Sequence, residues 1–174
     1  MDEHVILSVF GPDRPGLVDE VSRFIFERGG NIEDTRMVNL RGQFAMILLV
    51  TASSAAAQRL QQELPELQRA SKVRAELHPT TGAPAASDAL PYRLTATAID
   101  QPGLAHRIGH ALRQLSVNIE SLEAHLIAAP YTGAPMFEME AILSVPRATP
   151  IKEMRRVLEQ LCDELNIDHR LEPA

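Results

Sequence analysis

The stretch FGPDRPGLVDEV, residues 10–21, joins an apolar run to a helical pattern through a turn rich in proline and glycine. A looser version of this stretch, AIDQPGLAHRI, occupies residues 98–108. The two Pro-Gly pairs lie 87 positions apart, and the NIE segments at residues 31–33 and 118–120 keep the same offset. Two separate signals that share one register predict an internal duplication.

The second copy is longer than the first in one loop. Beyond the NIE segments the offset grows to 93, since Phe44 matches Phe137 and six extra residues lie near AAPYTGAP at 128–135. Proline and glycine there predict a longer hairpin loop. Between the copies, TTGAPAASDALP is small, proline-bearing and without periodicity, as linkers are. We therefore expect a first domain at residues 1–79, a linker at 80–91 and a second domain at 92–174.

Apolar periodicity in the first copy predicts the order βαββαβ. Gly29 and Gly30 are expected to end the first helix, and Pro65 to break or kink the end of the second. The first helix begins near Leu17. The remaining elements are predicted as strands at residues 5–10, 31–40, 44–50 and 73–78 and a helix at 55–69.

The second copy gives the same order, with its final helix starting at Thr149 and Pro150. In its second strand Leu122, Ala124 and Leu126 share one face, which predicts a sheet with one buried side. The sequence thus predicts an α+β protein of two tandem ferredoxin-like βαββαβ domains, antiparallel sheets with helices on one face. The predicted elements are strands at residues 92–99, 118–128, 137–145 and 167–171, and a first helix carrying Leu104, Ile108, Leu112 and Leu115.

The composition limits the class of protein. A chain of 174 residues with 45% hydrophobic content can bury one large core or two small ones. The formal charge is −6 and no segment rich in Lys and Arg is present, which disfavours direct nucleic-acid binding. The single Cys162 excludes an internal disulfide, and the N-terminal segment has neither a signal peptide nor a membrane span. We therefore expect a soluble cytoplasmic protein.

The repeated turn has the features of a small anion site. A helix that starts near Pro15 or Pro102 leaves its first N–H groups unpaired and its positive dipole end exposed, which suits a carboxylate. Gly16 and Gly103 lack a Cβ, so a ligand can approach the main chain closely.

A purely architectural interpretation of the same residues stays open. In it Asp13 and Asp100 cap their helices, while Asn31 and Asn118 serve helix-to-strand turns. The residues alone do not choose between a binding site and a connection.

Catalytic and metal-binding patterns are weak. His106 and His110 have i, i+4 spacing, but Arg107 stands where a zincin needs glutamate. Cys162 has no base identified near it, and Glu138 alternates with apolar residues, as on an outer strand face. RGGN and LRGQ lack the spacing and lysine of a phosphate-binding loop. We expect no enzyme activity, no metal and no cofactor.

Taken together, DRPGLV at residues 13–18 and GNIE at 30–33 resemble the ACT domain, a small ferredoxin-like module that binds amino acids and other effectors. The resemblance covers nearly the whole chain as two copies. DRPGLV with NIEDTRMVNLRGQFAMILLV, residues 31–50, is similar in particular to the glycine cleavage system transcriptional repressor family. This resemblance implies negative control of glycine cleavage genes through a DNA-binding transcription activator, with a small amino acid such as glycine as effector.

The ACT resemblance also implies where an effector would bind: in the loop between first strand and helix, and at the start of the second strand. Gln101 stands in place of Arg14, so the two sites are expected to differ, or only one to function. The implied positions are Asp13, Arg14, Pro15, Gly16, Leu17, Asn31 and Ile32 in the first copy and Asp100, Gln101, Pro102, Gly103, Leu104, Asn118 and Ile119 in the second.

Two other functions remain open at this stage. A regulatory subunit of an amino-acid metabolic enzyme would also use ACT domains, and a ligand-free interaction scaffold would also explain the duplication.

ACT units commonly pair side by side, so the two copies are expected to pack within one chain. Exposed sheet edges or faces could then support a homodimer.

Overall fold

The chain folds into two compact units, Met1–Ala85 and Ala86–Ala174. The structure is a computed structural model that describes residues 2–80 and 88–174. The first unit contains β1 (Asp2–Pro12), α1 (Leu17–Glu27), β2 (Gly30–Leu40), β3 (Gln43–Ser53), α2 (Ser54–Ser71) and β4 (Arg74–Thr80). The second contains β5 (Ala89–Ile99), α3 (Leu104–Gln114), β6 (Asn118–Ala128), β7 (Pro135–Pro146), α4 (Ile151–Leu165) and β8 (Asp168–Pro173).

Both units have the predicted ferredoxin-like βαββαβ order. Their four-stranded sheets run β2-β3-β1-β4 and β6-β7-β5-β8, and every pairing is antiparallel. The predicted α+β class is thus confirmed. The strands extend into both ends of the predicted linker, residues 80–91, because β4 runs to Thr80 and the ladder with β7 continues back to Ala89. Residues 81–87 of that linker lie outside the described residues.

In each unit the core lies between one sheet face and the two helices. In the first unit α1 buries Leu17, Val21 and Ile25 against alternate strand residues such as Leu7 and Leu48. Their spacing follows the helical and strand periods that were visible in the sequence. Corresponding residues form the core of the second unit: Leu94, Ile108, Leu112, Leu143, Met154 and Leu158.

The prediction that Leu122, Ala124 and Leu126 lie on a buried face is wrong. These residues do share the helix-facing side, since they pair with Ala141, Met139 and Phe137, but all three are exposed, Leu126 to 64%. β6 is an edge strand, so no element of its own unit covers that side there. β2 has the same edge position in the first unit.

Two helix boundaries also differ from prediction. Of the two effects predicted for Pro65, a break or a kink, the break does not occur: α2 continues through it to Ser71, with leucines before and after the proline buried in the core. α4 begins at Ile151 with Pro150 as its N-cap, and the Thr149 hydroxyl donates to the Leu115 carbonyl at 3.2 Å. The threonine therefore joins α4 to the end of α3 instead of capping its own helix.

Candidate functional site

The two Pro-Gly loops are held by the hairpins beside them. The Asp13 N–H donates to the Gly42 carbonyl at 2.8 Å, and the Asp100 N–H donates to the Pro135 carbonyl at 2.9 Å. The Asp13 carboxylate also accepts a hydrogen bond from the Asn39 amide. Each loop is thus fixed against the strand-to-strand connection of its own unit.

The interpretation of Asp13 and Asp100 as helix caps is wrong. Gly16 and Gly103 are the N-cap residues, with φ of 89° and 93°, and neither helix has a side-chain cap. This left-handed conformation is unfavourable for a residue with a Cβ, which explains the glycine in both copies. The turn recurs because each unit needs the same sharp entry into its first helix.

Arg14, predicted to contact a ligand, is engaged by its own unit. Its guanidinium donates to both carboxylate oxygens of Glu20 at 2.7 Å, and the Ser71 hydroxyl donates to the same carboxylate at 2.7 Å. The hydrogen bonds from Arg14, then from Ser71, lower the pKa of Glu20 to about 2. Arg14 also approaches the Ser71 carbonyl at 3.4 Å. These contacts fasten the loop to α1 and to the end of α2.

Gln101 fastens the second loop in a corresponding way. Its amide donates to the carbonyl of Leu165, the last residue of α4, at 3.2 Å. Arg14 and Gln101 thus each reach the end of the second helix in their unit. The exchange of arginine for glutamine keeps this contact and loses the ion pair, because Arg107 stands at the position of Glu20.

The two helix N-termini offer different environments to an anion. The first turn of α1 carries Asp19 and Glu20, whereas the first turn of α3 carries no acidic residue. Carboxylates there already interact favourably with the helix dipole and repel a second anion. The positive helix end predicted to attract a ligand carboxylate is therefore partly neutralised in the first unit.

A shallow groove of about 410 Å³ lies beside α1 at the start of β2. It contains two of the predicted ligand residues, Asn31 and Ile32, but none of the loop residues 13–17. In the structure Asn31 therefore lines a groove together with residues of α1, and not with residues of the loop. The groove is lined by Asp19, Ser22, Arg23, Ile25, Phe26, Gly30, Asn31 and Ile32.

A second groove, of about 390 Å³, occupies the corresponding place in the second unit. It includes Asn118 and Ile119 but none of residues 100–104. Asn118 donates to the Glu120 carboxylate at 2.8 Å, whereas no side-chain hydrogen bond of Asn31 occurs among the described residues. The lining consists of Gly109, Arg113, Ser116, Val117, Asn118 and Ile119.

The NIE segment marks a β-bulge in both units. The register shifts between Ile32 and Asp34 in the first unit and between Ile119 and Ser121 in the second. An extra residue at a bulge bends the strand and redirects its side chains. The repeated segment therefore shapes the strand end that borders each groove.

Sequence reasoning missed Asp19, Ser22 and Arg23. Their spacing of three and four residues places them along one polar side of α1, next to the buried stripe. Arg23 and Asp19 approach to 4.0 Å and are both exposed, so one cation and one anion meet at the groove. A search for polar i, i+3, i+4 sets beside the NIE segment would have found them.

Metal-binding geometry is absent from residues 2–80 and 88–174: no three His, Cys, Asp or Glu side chains there could hold one ion. The His106 and His110 rings lie 6.2 Å apart, and Gln114 contacts the second. Cys162 is buried in the core of the second unit. Within the same described ranges, no helix has both the length and the apolar character needed to cross a membrane.

The fold and its repeated turn define a protein of two tandem ferredoxin-like βαββαβ units. Residues 3–78, nearly the whole of the first unit, match the family model of the ACT domain. The second unit repeats its element order and strand order. The chain thereby has the tandem architecture that the resemblance implied.

Two similar proteins match nearly the whole chain, and a third matches part of it. The glycine cleavage system transcriptional repressor of Escherichia coli K12 is 24% identical over 163 residues, covering 94% of this chain and 86% of that protein. The UPF0237 protein MK1213 of Methanopyrus kandleri is 44% identical over 50 residues, 29% of this chain and 56% of its own. The crystal structure of an unknown protein from Galdieria sulphuraria superposes with a TM-score of 0.83 at 25% identity, covering 100% and 99% of the chains.

Proposed function

We propose that this protein is a non-catalytic regulator that represses the expression of glycine cleavage genes in response to a small amino acid. The observation that carries the proposal is the similarity to the E. coli repressor, which spans 94% of this chain and so includes both units. A match confined to one ACT domain would fit many regulated proteins, whereas a match over the tandem pair favours this class.

We further propose that repression proceeds through contact with a DNA-binding transcription activator. The chain has a formal charge of −6, so it is poorly suited to neutralise DNA phosphates itself. A regulator of transcription with this charge needs a protein partner that supplies the contacts to DNA.

The effector proposed for the groove of the first unit is a small zwitterionic amino acid. Arg23 would pair with its carboxylate, Asp19 with its ammonium group, and the Asn31 amide would fix its orientation. A groove of about 410 Å³ lies within the range of small-molecule sites. The Gly16 turn contributes indirectly, because it sets where α1 begins and thereby where Asp19 and Arg23 stand.

The groove of the second unit is a poorer candidate for this ligand. Arg113 provides a cation, but the groove lining contains no carboxylate to receive an ammonium group. Asn118 is already bonded to Glu120. We therefore expect the first unit to bind an amino acid more tightly than the second.

Isothermal titration with glycine, serine and the other amino acids tests the effector. We expect one small amino acid to bind, and Arg23→Ala and Asn31→Ala each to weaken its affinity about tenfold or more, the scale of a lost charged hydrogen bond. Asn118→Ala is the matched control at the equivalent position of the second unit and should leave the affinity unchanged. Loss in Asn118→Ala alone would assign the site to the second unit.

Affinity capture with the purified full chain, in the presence and absence of the bound amino acid, tests the partner. Recovery of the activator of glycine cleavage genes is the expected result. Recovery of an amino-acid metabolic enzyme would instead assign the protein as a regulatory subunit. A partner retained without any amino-acid binding would support the ligand-free scaffold.

A further inference from the structure

The sheet of the first unit has a second face, opposite to the helices, that forms a regular array of exposed side chains. Because directly paired residues point to the same side, the pairing registers define its rows. We call this array outer face 1. Its three central rows, each read from β2 through β3 and β1 to β4, are Val38-Ala45-Phe10-Arg74, Arg36-Ile47-Ser8-Glu76 and Asp34-Leu49-Ile6-His78.

The centre of outer face 1 is apolar and accessible. Phe10 is 48% exposed, Val38 46% and Ile47 48%, while Ile6 and Leu49 are half-buried. Contiguous apolar side chains on a solvent-exposed surface often mark an interaction site.

The edges of outer face 1 carry complementary charges. On β2, Arg36 contacts Asp34; on β4, His78 contacts Glu76 at 3.3 Å. All four side chains are largely exposed, and each pair lies within a single strand. These four side chains can therefore leave their partners in the same strand and pair with side chains of another molecule.

The corresponding face of the second unit is different in character. Glu123 of β6 lies directly opposite Glu140 of β7, and Glu138 of β7 lies opposite His125. Two like charges in adjacent strands disfavour close packing against another surface of the same kind. The apolar centre is thus a feature of the first unit.

We propose that outer face 1 is a self-association surface, on which a second copy of this chain packs its own outer face 1 about a two-fold axis parallel to the strands. Such an axis runs midway between β3 and β1. Each row of one copy then faces the same row of the other copy in reverse order, so that β2 faces β4 and β3 faces β1. Arg36 of one copy then faces Glu76 of the other, and Asp34 faces His78. This inference goes beyond the proposed function, which requires no particular oligomeric state.

The apolar centre fits the same arrangement. The axis places Phe10 over the small Ala45 of the second copy, Ile6 over Leu49 and Ile47 over Ser8. At the edge, Val38 lies over Arg74, whose aliphatic stem can cover it. Packed sheets are rotated by about 30°. At an edge strand about 7 Å from the axis this rotation displaces facing residues by only about 4 Å, within the reach of arginine and glutamate side chains.

A two-fold axis perpendicular to the strands is less favourable. To bring Arg36 over Asp34 of the second copy, that axis must also place Phe10 over His4 and Val38 over Asn31, as the registers dictate. Phe10, the largest apolar side chain of the face, would then cover a histidine instead of Ala45. The two arrangements make opposite predictions for charge exchange and can be separated by mutation.

Sedimentation equilibrium of the full chain, at concentrations up to about 100 µM, measures the association. We expect a dimer in the wild type, and a dissociation constant raised about tenfold or more in Arg36→Glu and in Glu76→Arg. Ile47→Lys, at the centre, should abolish the dimer. Circular dichroism of each variant checks that the fold is retained. A wild-type monomer at all concentrations would overturn the proposal.

Charge exchange gives the decisive comparison. The double variant Arg36→Glu/Glu76→Arg should recover the wild-type dissociation constant, whereas Asp34→Arg/Arg36→Glu should not. The reverse result would overturn the parallel axis. Glu123→Arg is the matched control, at the position of Arg36 in the second unit, and should leave the dimer unchanged. A dimer that is weakened by this control and not by Ile47→Lys would overturn the assignment to outer face 1.

Discussion

Arg14 and Glu20 form a bidentate ion pair, with both nitrogen–oxygen distances at 2.7 Å. Ser71 donates a third hydrogen bond to the same carboxylate, so residues from the loop, from α1 and from the end of α2 meet at one point. The sequence suggested a ligand contact for Arg14. In the structure its guanidinium holds the loop against α1 and the end of α2, and a ligand contact of Arg14 stays a prediction.

This cluster predicts a pH-dependent stability. The folded-state pKa of Glu20 is about 2, below its ordinary 4.5, so the folded chain binds fewer protons here than the unfolded chain. The resulting stabilisation is present above about pH 4.5 and is lost as the pH falls towards 2. Urea unfolding should therefore show Arg14→Gln less stable than the wild type at pH 7, with most of the difference lost as the pH falls to about 2.

The control for this prediction is Arg93→Gln in the second unit, which removes an exposed partner of Glu140 at 3.6 Å. Its difference from the wild type should be small at every pH, as for most surface pairs. A stability gap of Arg14→Gln that persisted unchanged to pH 2 would contradict the role of Glu20.

Gly30 is required by packing. A Cβ at this position would lie 2.8 Å from Cγ2 of Ile25 and 3.0 Å from Cγ1 of Val50, both in the core. Gly30→Ala should lower the free energy of unfolding by about 1–3 kcal/mol, as overpacking does. Gly109→Ala is the contrasting control: its Cβ meets open space on α3, so stability should rise by about 0.5–1 kcal/mol. Thermal and urea unfolding measure both, and equal effects would contradict the packing argument.

Pro65 lies within α2, at an exposed position. Its ring removes one helical hydrogen bond and crowds the preceding turn. Pro65→Ala should therefore raise the free energy of unfolding by about 1–3 kcal/mol. Arg59→Ala, at another exposed position of α2, should change it by less than about 0.5 kcal/mol. A destabilised Pro65→Ala would show that the unfolded-state stiffness of proline outweighs its cost in the helix.

Cys162 should be unreactive in the folded protein. Burial, with a smaller contribution from the charge of Asp163, raises the pKa of its thiol from 9.0 to about 11. At pH 8 the thiolate fraction is then about a hundredfold lower than in the unfolded chain, before steric protection is considered. Ellman's reagent should react slowly with the native protein and fully after denaturation in guanidinium. Equal rates in both states would contradict the buried position.

The sequence predicted the element order well because burial imposes regular periods. The stripe Leu17, Val21 and Ile25 and the repeated offset of 87 located helices and domains without any tertiary information. Individual contacts were harder to predict. Nothing local to DRPGL indicates that Arg14 will meet Glu20 and Ser71, since Ser71 lies 57 positions further along the chain.

In the candidate site too, single residues could be predicted from the sequence but their neighbours could not. Asn31 was identified because the NIE segment recurs, but its neighbours Asp19 and Arg23 were not, because polar residues on a helix carry no mark of what they face. In β6 the alternation of polar and apolar residues was correctly predicted, but Leu122 and Leu126 were expected to be buried and are exposed. Alternation specifies the side of a sheet; the strand order decides whether a helix covers that side.

By itself, the sequence determined the duplication, the βαββαβ order of each unit and the place of the two Pro-Gly turns, because these follow from repeats and periods along the chain. Tertiary structure alone decided that Arg14 closes on Glu20, that Asn31 joins Asp19 and Arg23 in a groove, and that Arg36 and Glu76 stand at opposite edges of one apolar face. Those relations depend on which strands become neighbours in the sheet, and the pairing of distant segments is set by packing of the whole core.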